Sequence, residues 1–370
     1  MNHKEIAQAH EANLDFVRAL AVLMVVGSHV ALFFGNLHIS ILEPALFGKL
    51  GVVIFFVHSG IVNMLSIERH VQKHGDYHLF RAFMTRRCFR IYPLSMFVVT
   101  VVFFAKLPVS HIDNFGATVG QHASAEFLPS LLLVQNFVRF DQILGPLWSL
   151  PYEVQTYCLF PMIYLALRRF KSAKILIFAW AMLATLDHVI APHIAKHGNL
   201  SRFVTIPDLL SSFLLFLAGL YAYKEMQTSR PVLRFWTLPA LLGFACVVWL
   251  FSYDNAKCIF VSLCLGLALP YIHNCEIETL NRACAWIAKY SYGIYLIHDP
   301  AIWLGFVRLG HLPTAAQVTV FLLVTFGGSV LIYHTLEHPM ILVGNKAAVA
   351  ISGKRSPVKV QVAAAAGVGA

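Results

Sequence analysis

The chain has 370 residues, of which 58% are hydrophobic and only 12% are charged, and its mean hydropathy is +0.68. This composition excludes a water-soluble globular domain and predicts a polytopic membrane protein. The formal net charge is +10, but the basic residues are dispersed over several short loops, so no stripe suited to nucleic acid is formed.

Apolar segments long enough to cross a bilayer recur along the chain. A spanning helix needs about 20 mostly apolar residues for a hydrocarbon core of ~30 Å. We therefore predict an all-α, polytopic bundle of about ten transmembrane helices. The predicted spans are 16–34, 50–67, 91–107, 148–167, 175–192, 207–223, 235–252, 257–273, 290–308 and 315–337.

The positions of lysine and arginine predict the orientation of these spans. With the N-terminus in the cytoplasm, the inner segments hold 20 Lys and Arg residues and the outer segments hold 4. The positive-inside rule therefore predicts that both termini are cytoplasmic. We divide the chain into a transmembrane domain at residues 1–345 and a disordered cytoplasmic tail at residues 346–370, which ends in Ala and Gly.

The first predicted span contains two ionisable residues. Arg18 and His29 are eleven positions apart, which at ~100° per residue returns to within about 20° of the same helical face, ~16 Å further along the axis. Ionisable side chains inside a span are costly and usually mark a pathway or a reactive site. The alternative is that Arg18 reaches the lipid headgroups and His29 is a hydrogen-bonded core histidine.

The second predicted span offers a packing surface. Ser59 and Gly60 are small enough for a close helix contact, and His58 beside them is expected to face the interior of the bundle. The 7 cysteines and 18 histidines of the chain show no metal-ligand spacing. We therefore predict neither a disulfide framework nor a metal site.

An arginine cluster stands at the entry to the third span. Arg87 and Arg90 share a helical face if the helix begins before Pro93, and Arg86 adds a third positive charge. Guanidinium groups are suited to bidentate recognition of phosphate. The alternative is an ordinary positive-inside anchor or attraction to anionic lipid.

The fourth predicted span carries a carboxylate. Glu153 and His29 each lie about five or six residues below the outer boundary of their spans, so the two are predicted at similar depth. A carboxylate beside a histidine orients it and raises its basicity, so we predict that Glu153 pairs with His29. Glu153 could instead only hold its Pro-flanked helix together.

The segment 127–138, which precedes the fourth predicted span, is too short for a span and is predicted to be a re-entrant or interfacial piece of an outer loop.

Several of these stretches together resemble the successive motifs of the integral-membrane acyltransferase 3 family. Their number, order and placement over residues 14–339 make the match specific. The matching stretches are 14–21 with His29, 51–60, 86–93, 147–161, 291–298 and 337–339.

The resemblance implies an enzyme of the bacterial inner membrane that transfers an acyl group, usually acetyl, to a hydroxyl of a glycan outside the membrane. The implied donor substrate is cytoplasmic acetyl-CoA, and no metal is implied. The family's Arg-x10-His pattern falls on Arg18 and His29, with His29 as the reactive histidine. Its Arg-x-x-Arg pattern falls on Arg87 and Arg90, which the resemblance implicates in handling the donor.

The chain departs from the family pattern at two positions of the second span. Val53 stands where many members have Asp, and His58 stands where Leu is usual. A role for a carboxylate in this span is therefore not expected. Because the chain ends soon after the tenth predicted span, a fused extracellular domain of the SGNH type is not expected either.

These inferences combine into one mechanism. The three arginines at the start of the third span hold the phosphates of CoA, and the thioester arm rises between the helices. His29, oriented by Glu153, takes the proton from the acceptor hydroxyl, while Arg18 adds positive charge to the donor pathway. The predicted partners are acyl-CoA, a glycan acceptor and the lipid bilayer.

Two other interpretations are open at this point. The intramembrane ionisable residues could form the path of a proton-coupled transporter or flippase for a glycan or lipid precursor, although no paired half-chain repeats are visible. The chain could also be a scaffold for polysaccharide export.

Overall fold

The computed structural model describes residues 3–34, 44–107, 124–138, 143–170, 172–196, 206–250 and 255–353. These residues form helices and no strand, which confirms the all-α prediction for this part of the chain. Five of their helices are long and apolar enough to cross a membrane, namely His10–Phe33, Phe47–His74, Leu79–Phe104, Leu209–Met226 and Thr314–Ser352. The number of ten spans and the cytoplasmic location of the termini stay predictions.

The helices are numbered in chain order. They are α1 (His3–Phe33), α2 (Pro44–His74), α3 (Leu79–Phe104), α4 (Ser124–Leu132), α5 (Gln135–Val138), α6 (Leu150–Tyr157), α7 (Phe160–Leu167), α8 (Lys174–Lys196), α9 (Ile206–Met226), α10 (Thr237–Leu250), α11 (Asn255–Ala268), α12 (Glu278–Ile302), α13 (Thr314–Leu322), α14 (Gly328–Ile332) and α15 (His338–Ser352).

The helix α2 is central in the packing. It packs along both α1 and α9, while α1 also packs on α12, and α3 packs on α15. The contact between α2 and α9 is close because glycines meet there. A Cβ atom on Gly219 would lie 2.1 Å from the carbonyl oxygen of Val57, and one on Gly60 would lie 2.6 Å from that of Phe216. The predicted close contact at Gly60 is confirmed, and its partner is α9.

The fourth predicted span, 148–167, is not one continuous helix. A 3₁₀ turn at Gly145–Trp148 leads into α6, and α7 follows after a break at residues 158 and 159. Pro161 has no N–H to continue the hydrogen-bond ladder, so the chain turns more tightly there. The amides of Cys158 and Leu159 instead bond to the carbonyl oxygens three residues before them, at 3.2 and 2.9 Å.

The last predicted span, 315–337, is longer than expected. Helical structure is continuous from Thr314 to Ser352, with π-helical turns at Leu323–Gly327 and Tyr333–Glu337. Residues 346–352 are therefore helical, and the expectation of a disordered tail starting at residue 346 is wrong for them. The helix α15 persists because it packs on α3, where Gly344 faces the ring of Phe89. Residues 354–370 lie outside the described residues.

The segment 127–138 forms the end of α4 and all of α5, two helices that are each too short to cross a membrane. Leu133 separates them with a φ of 54°. The segment is attached to the bundle by the rings of Phe127 and Phe103, 4.5 Å apart, and by a 3.0 Å hydrogen bond from Gln135 to the carbonyl oxygen of Leu147. Its position relative to a membrane stays a prediction.

Candidate active site

Three ionisable side chains meet between α1 and α12. Nδ1 of His29 lies 3.0 Å from Oδ1 of Asp299 and 2.8 Å from Nε2 of His298. Nδ1 of His298 lies 3.1 Å from the carbonyl oxygen of Ile294. The relative exposures of His29, His298 and Asp299 are 7%, 0% and 5%. The two helices thus build a buried cluster of one acid and two bases.

The hydrogen-bond partners assign the protons of this cluster. A backbone carbonyl only accepts, so Nδ1 of neutral His298 donates to Ile294 and its Nε2 keeps a lone pair. Both neighbours of His29 Nδ1 are then acceptors, so this nitrogen carries a proton. The Nε2 atom of neutral His29 keeps its lone pair and can act as a general base.

The expected pairing of His29 with Glu153 is wrong, because Asp299 occupies that place. Glu153 accepts hydrogen bonds from Ser59, at 3.0 Å, and from Tyr157, so it belongs to the α2–α6 contact. Similar depth does not make two residues neighbours, because Glu153 bonds to Ser59 on α2, whereas His29 bonds to Asp299 on α12. A sequence signal for Asp299 did exist, since it directly follows His298 at the end of the stretch 291–298.

The predicted common face of Arg18 and His29 is confirmed by their shared neighbour α12. Nε of Arg18 donates to Oγ of Ser291 at 2.6 Å, and its guanidinium lies 5.9 Å from the ring centroid of Phe55. His29 contacts the same helix at its next turns, through Asp299. Both side chains therefore point into the bundle, with ~16 Å of helix between them.

Arg18 lines three cavities. The widest, which we call the wide cavity, has a volume of about 990 Å³ and extends to exposed side chains such as Lys289. The second, the arginine cavity, has about 40 Å³ and is lined by Arg87 and Arg90. The third, the tyrosine cavity, has about 30 Å³ and is lined by Tyr292 and Tyr295, which lead towards Asp299. Adjacent cavities thus extend from the wide cavity, past Arg18, towards His29.

The structure separates the three predicted donor-binding arginines. Arg90 lines both the wide cavity and the arginine cavity. Arg87 is buried in the arginine cavity, 5.2 Å from the ring centroid of Phe83, and its Nε has no hydrogen-bond partner. Arg86 lines none of the three cavities, because its Nη1 bonds at 2.9 Å to Nδ1 of His70 on α2. The helix does begin before Pro93, as expected, which sets Arg87 and Arg90 on one face.

The arginine cavity is more polar than its depth in the bundle would suggest. His58 and Asn63 line it, and each has a buried ring or amide atom without a hydrogen-bond partner. Asn63 also donates to Oγ of Ser59 at 3.0 Å, which extends the network that holds Glu153. Unsatisfied buried groups are costly, so this cavity is suited to a polar occupant. Sequence reasoning missed Asn63, because this residue belongs to no pattern of ionisable groups.

The cluster of His29, His298 and Asp299 contains residue types that also bind metals. Nδ1 of His29 lies 3.0 Å from Oδ1 of Asp299 and 2.8 Å from Nε2 of His298, and both distances are those of direct hydrogen bonds. Ligands of tetrahedral zinc at about 2.0 Å would stand roughly 3.3 Å apart. The hydrogen-bonded arrangement accounts for the geometry without an ion, and the absence of a metal stays a prediction.

Comparisons with known proteins agree on one family. The model of the acyltransferase 3 family, described as "Acyltransferase domain", matches residues 11–334. "Putative peptidoglycan O-acetyltransferase YrhL" of Bacillus subtilis (strain 168) is 27% identical, with 92% of this chain and 56% of that protein covered. "O-acetyltransferase OatA" of Staphylococcus aureus (strain MRSA252) is 26% identical, with 93% and 59% covered.

A further relative matches over more of its own length. "Nodulation protein 10" of Rhizobium leguminosarum bv. viciae is 25% identical, with 80% of this chain and 83% of that protein covered. The chain spans little more than half the length of the two O-acetyltransferases. No solved structure matches the chain.

Proposed function

Because this chain belongs to the acyltransferase 3 family and is thus an acyltransferase, we propose that it moves an acyl group, acetyl in the first instance, from cytoplasmic acyl-CoA to a hydroxyl of an extracytoplasmic glycan. Its place is the bacterial inner membrane, with both termini in the cytoplasm. The family membership favours this enzyme over the transporter and scaffold interpretations. Two relatives carry O-acetyltransferase in their names, and one name specifies peptidoglycan.

The observation that carries the proposal is that a histidine bonded to a carboxylate lies beyond the tyrosine cavity, at the far end from Arg18. His29 is fixed by Asp299 at 3.0 Å, so its Nε2 keeps a lone pair for proton transfer. The tyrosine cavity, lined by Arg18 at one end and by Tyr295 at the other, lies between the wide cavity and this histidine. A base at this place is suited to accept a proton from a hydroxyl that attacks a bound thioester.

Dimensions support CoA as the donor. About thirteen bonds separate the thioester sulfur of CoA from its nearest phosphate, which corresponds to roughly four extended residues or ~15 Å. The helix places His29 ~16 Å from Arg18, where Arg90 and Arg87 also lie. Phosphates held by these arginines would thus leave the thioester near His29. The wide cavity, at about 990 Å³, is at the upper end of the range for small-molecule sites.

The two small cavities have room for only about one to three waters each. Side chains between Arg18 and His29 must therefore swing aside when an acyl-pantetheine arm enters. Phe55 and Tyr292 line both small cavities, and a rotation of either ring would join them. An acetyl group needs the least displacement, which is why acetyl is the proposed acyl group.

The proposed transfer conserves protons. Nε2 of His29 accepts the proton of the acceptor hydroxyl while the oxygen forms a bond to the thioester carbonyl carbon. The bond between that carbon and sulfur then breaks, and His29 returns the proton to the departing thiolate, giving the ester and free CoA. Asp299 stabilises the imidazolium between the two transfers, since its carboxylate faces Nδ1 at 3.0 Å.

The test compares the O-acetyl content of envelope glycans in a deletion strain and its parent. We expect loss of O-acetyl groups from one glycan, restored by the wild-type chain and not by the His29→Ala chain at equal protein level. Purified wild-type protein should release free CoA from acetyl-CoA when that glycan is added. Unchanged O-acetylation in the deletion strain, together with no CoA release by the purified protein, would contradict the proposal.

A further inference from the structure

The wide cavity has more positive than negative charge. Its cationic lining residues are Arg18, Arg69, Lys73, Arg90 and Lys289, and its acidic ones are Glu11, Asp15 and Glu337. Two positive charges are therefore in excess. The charges also differ in depth, because Arg18, Arg90 and Glu337 interact electrostatically with one another at the inner end of the cavity.

The remaining three cations, Arg69, Lys73 and Lys289, form the rim of the wide cavity. Arg69 and Lys73 are four residues apart on α2 and so share a helical face, while Lys289 lies on α12. All three side chains are exposed. None of them forms an ion pair with a carboxylate within the described residues, and Nε of Arg69 bonds only to the carbonyl oxygen of Leu65. The rim therefore offers unpaired positive charge on two walls.

Lys289 is held in place by aromatic rings. Its Nζ lies 5.2 Å from the ring centroids of both Tyr290 and Tyr333. Tyr333 itself lines the wide cavity, at the start of a π-helical turn. Such contacts contribute modestly at an exposed site but restrict the position of the ammonium group. A cation held at the mouth of a cavity is better prepared for a ligand than a freely moving one.

This inference rests on the proposed function and extends it to the nucleotide end of the donor. With the diphosphate of CoA at Arg18 and Arg90, the adenosine remains in the wide cavity, nearer its rim. We propose that Arg69, Lys73 and Lys289 bind the phosphomonoester on the ribose of the donor. This group carries about two negative charges and three acceptor oxygens, which suits three cations that lack carboxylate partners.

The proposal assigns a selectivity to the site. A free CoA thioester carries the ribose phosphate, whereas dephospho-CoA and the phosphopantetheine arm of a carrier protein do not. The enzyme should therefore discriminate against both of these donors. Glu11 and Asp15 on α1 repel the phosphate, so the cationic walls on α2 and α12 are the favourable place for it.

The same cations could serve the phosphate of an anionic lipid headgroup, so the test has to separate the two sources. The full-length protein is placed in nanodiscs of phosphatidylcholine alone, and binding of CoA and dephospho-CoA is measured at fixed ionic strength. We expect dephospho-CoA to bind roughly tenfold more weakly than CoA, because charge-assisted hydrogen bonds are lost. Discs that also contain phosphatidylglycerol should preserve this ratio.

Variants identify the residues. Lys73→Gln and Lys289→Gln should weaken binding of CoA towards the level of dephospho-CoA and leave binding of dephospho-CoA unchanged. The matched control is Arg282→Gln, also on α12, whose side chain is 75% exposed, paired with Glu278 and outside the cavity lining. It should preserve the preference for CoA. Because retained binding of dephospho-CoA reports a folded donor site, misfolding cannot imitate the expected result.

The outcomes separate this inference from the proposed function. Equal binding of both nucleotides by the wild type, or discrimination that survives both Gln variants, overturns the rim assignment while acyl-CoA remains the donor. Loss of discrimination in phosphatidylglycerol discs assigns the cations to lipid and also overturns it. Absence of binding for both nucleotides would instead contradict the donor of the proposed function.

Discussion

The carboxylate of Asp299 lies 3.0 Å from Nδ1 of His29, although 270 positions separate the two residues in the chain. Both residues are buried, and they lie in two different predicted spans. A buried carboxylate that faces one imidazole nitrogen fixes the tautomer and leaves the other nitrogen as the base. The packing of α1 on α12 thereby determines which ring nitrogen of the histidine is left to act as the base.

Replacement of Asp299 by Asn should lower kcat by about 10²- to 10⁴-fold, because the amide can donate to Nδ1 of His29 and favour the wrong tautomer. The KM for acyl-CoA should change little, since Asp299 lines none of the three donor-side cavities. Rates and KM of purified protein check both statements. The control Asp187→Asn removes another buried carboxylate, one that faces Ser211, and should keep kcat near the wild-type value. Normal kcat in Asp299→Asn would remove Asp299 from the site.

Replacement of His29 by Ala should reduce acyl transfer to background, because no other nitrogen of the cluster has its lone pair in the same place. The protein should still be produced and inserted, since Ala introduces no new buried charge. Glycan O-acetylation at matched protein level is the measurement. His188→Ala, at an exposed position of α8, is the control and should retain transfer. Substantial transfer by the His29 variant would show that another group is the base.

Replacement of Glu153 by Gln should act on stability more than on proton transfer. Glu153 accepts hydrogen bonds from Ser59 and Tyr157, so the change should lower the free energy of unfolding by about 1–3 kcal/mol. The pH profile of the rate should stay that of the wild type, because Asp299 and not Glu153 contacts His29. Thermal unfolding in detergent and rates against pH provide the two readings. An altered pH profile with normal stability would restore Glu153 as a partner of His29.

Replacement of Arg90 or Arg87 by Lys should raise the apparent KM for acyl-CoA by about tenfold, because an ammonium keeps the charge but loses the planar fork. Arg86→Lys should leave KM unchanged, since Arg86 bonds to His70 and lines none of the three cavities. Donor saturation kinetics of the three purified variants are the measurement. If all three variants have the wild-type KM, the arginine cluster is only a topological anchor.

Replacement of Gly219 by Ala should destabilise the bundle by about 1–3 kcal/mol, because the new Cβ would meet the backbone oxygen of Val57, which has no free rotation to escape. Gly243→Ala is the matched control, since nothing lies within 4 Å of its Cβ position on α10. That control should be neutral or more stable by about 0.5–1 kcal/mol. Thermal unfolding of both variants is the measurement. Equal unfolding temperatures would show that α2 and α9 pack less closely than described.

Much of the bundle was predictable from local patterns. The all-helical class follows from apolar segments of spanning length, since backbone groups in lipid must bond within their own segment. The eleven-residue spacing of Arg18 and His29 placed both on one face, because helical periodicity is a local property. The same holds for Arg87 and Arg90 at the start of the third span. Each of these inferences needed only one continuous helix.

The partner of each ionisable group could not be predicted in this way, because partners come from other helices. Asp299 and His298 reach His29 only through the packing of α1 on α12, and Arg86 is turned from the cavities only by His70 on α2. The comparison of depths failed for Glu153 because depth does not identify the neighbouring helix: Glu153 bonds to Ser59 on α2, and His29 bonds to Asp299 on α12. Local sequence patterns predicted that Arg18, His29 and Glu153 lie inside the bundle, and they placed Arg18 and His29 on one helical face, but they did not predict Asp299. Tertiary packing decided which of these groups touch. A hydrogen bond requires the donor and acceptor atoms to be placed to within a few tenths of an ångström, and the geometry of one helix does not define the distance to a group on another.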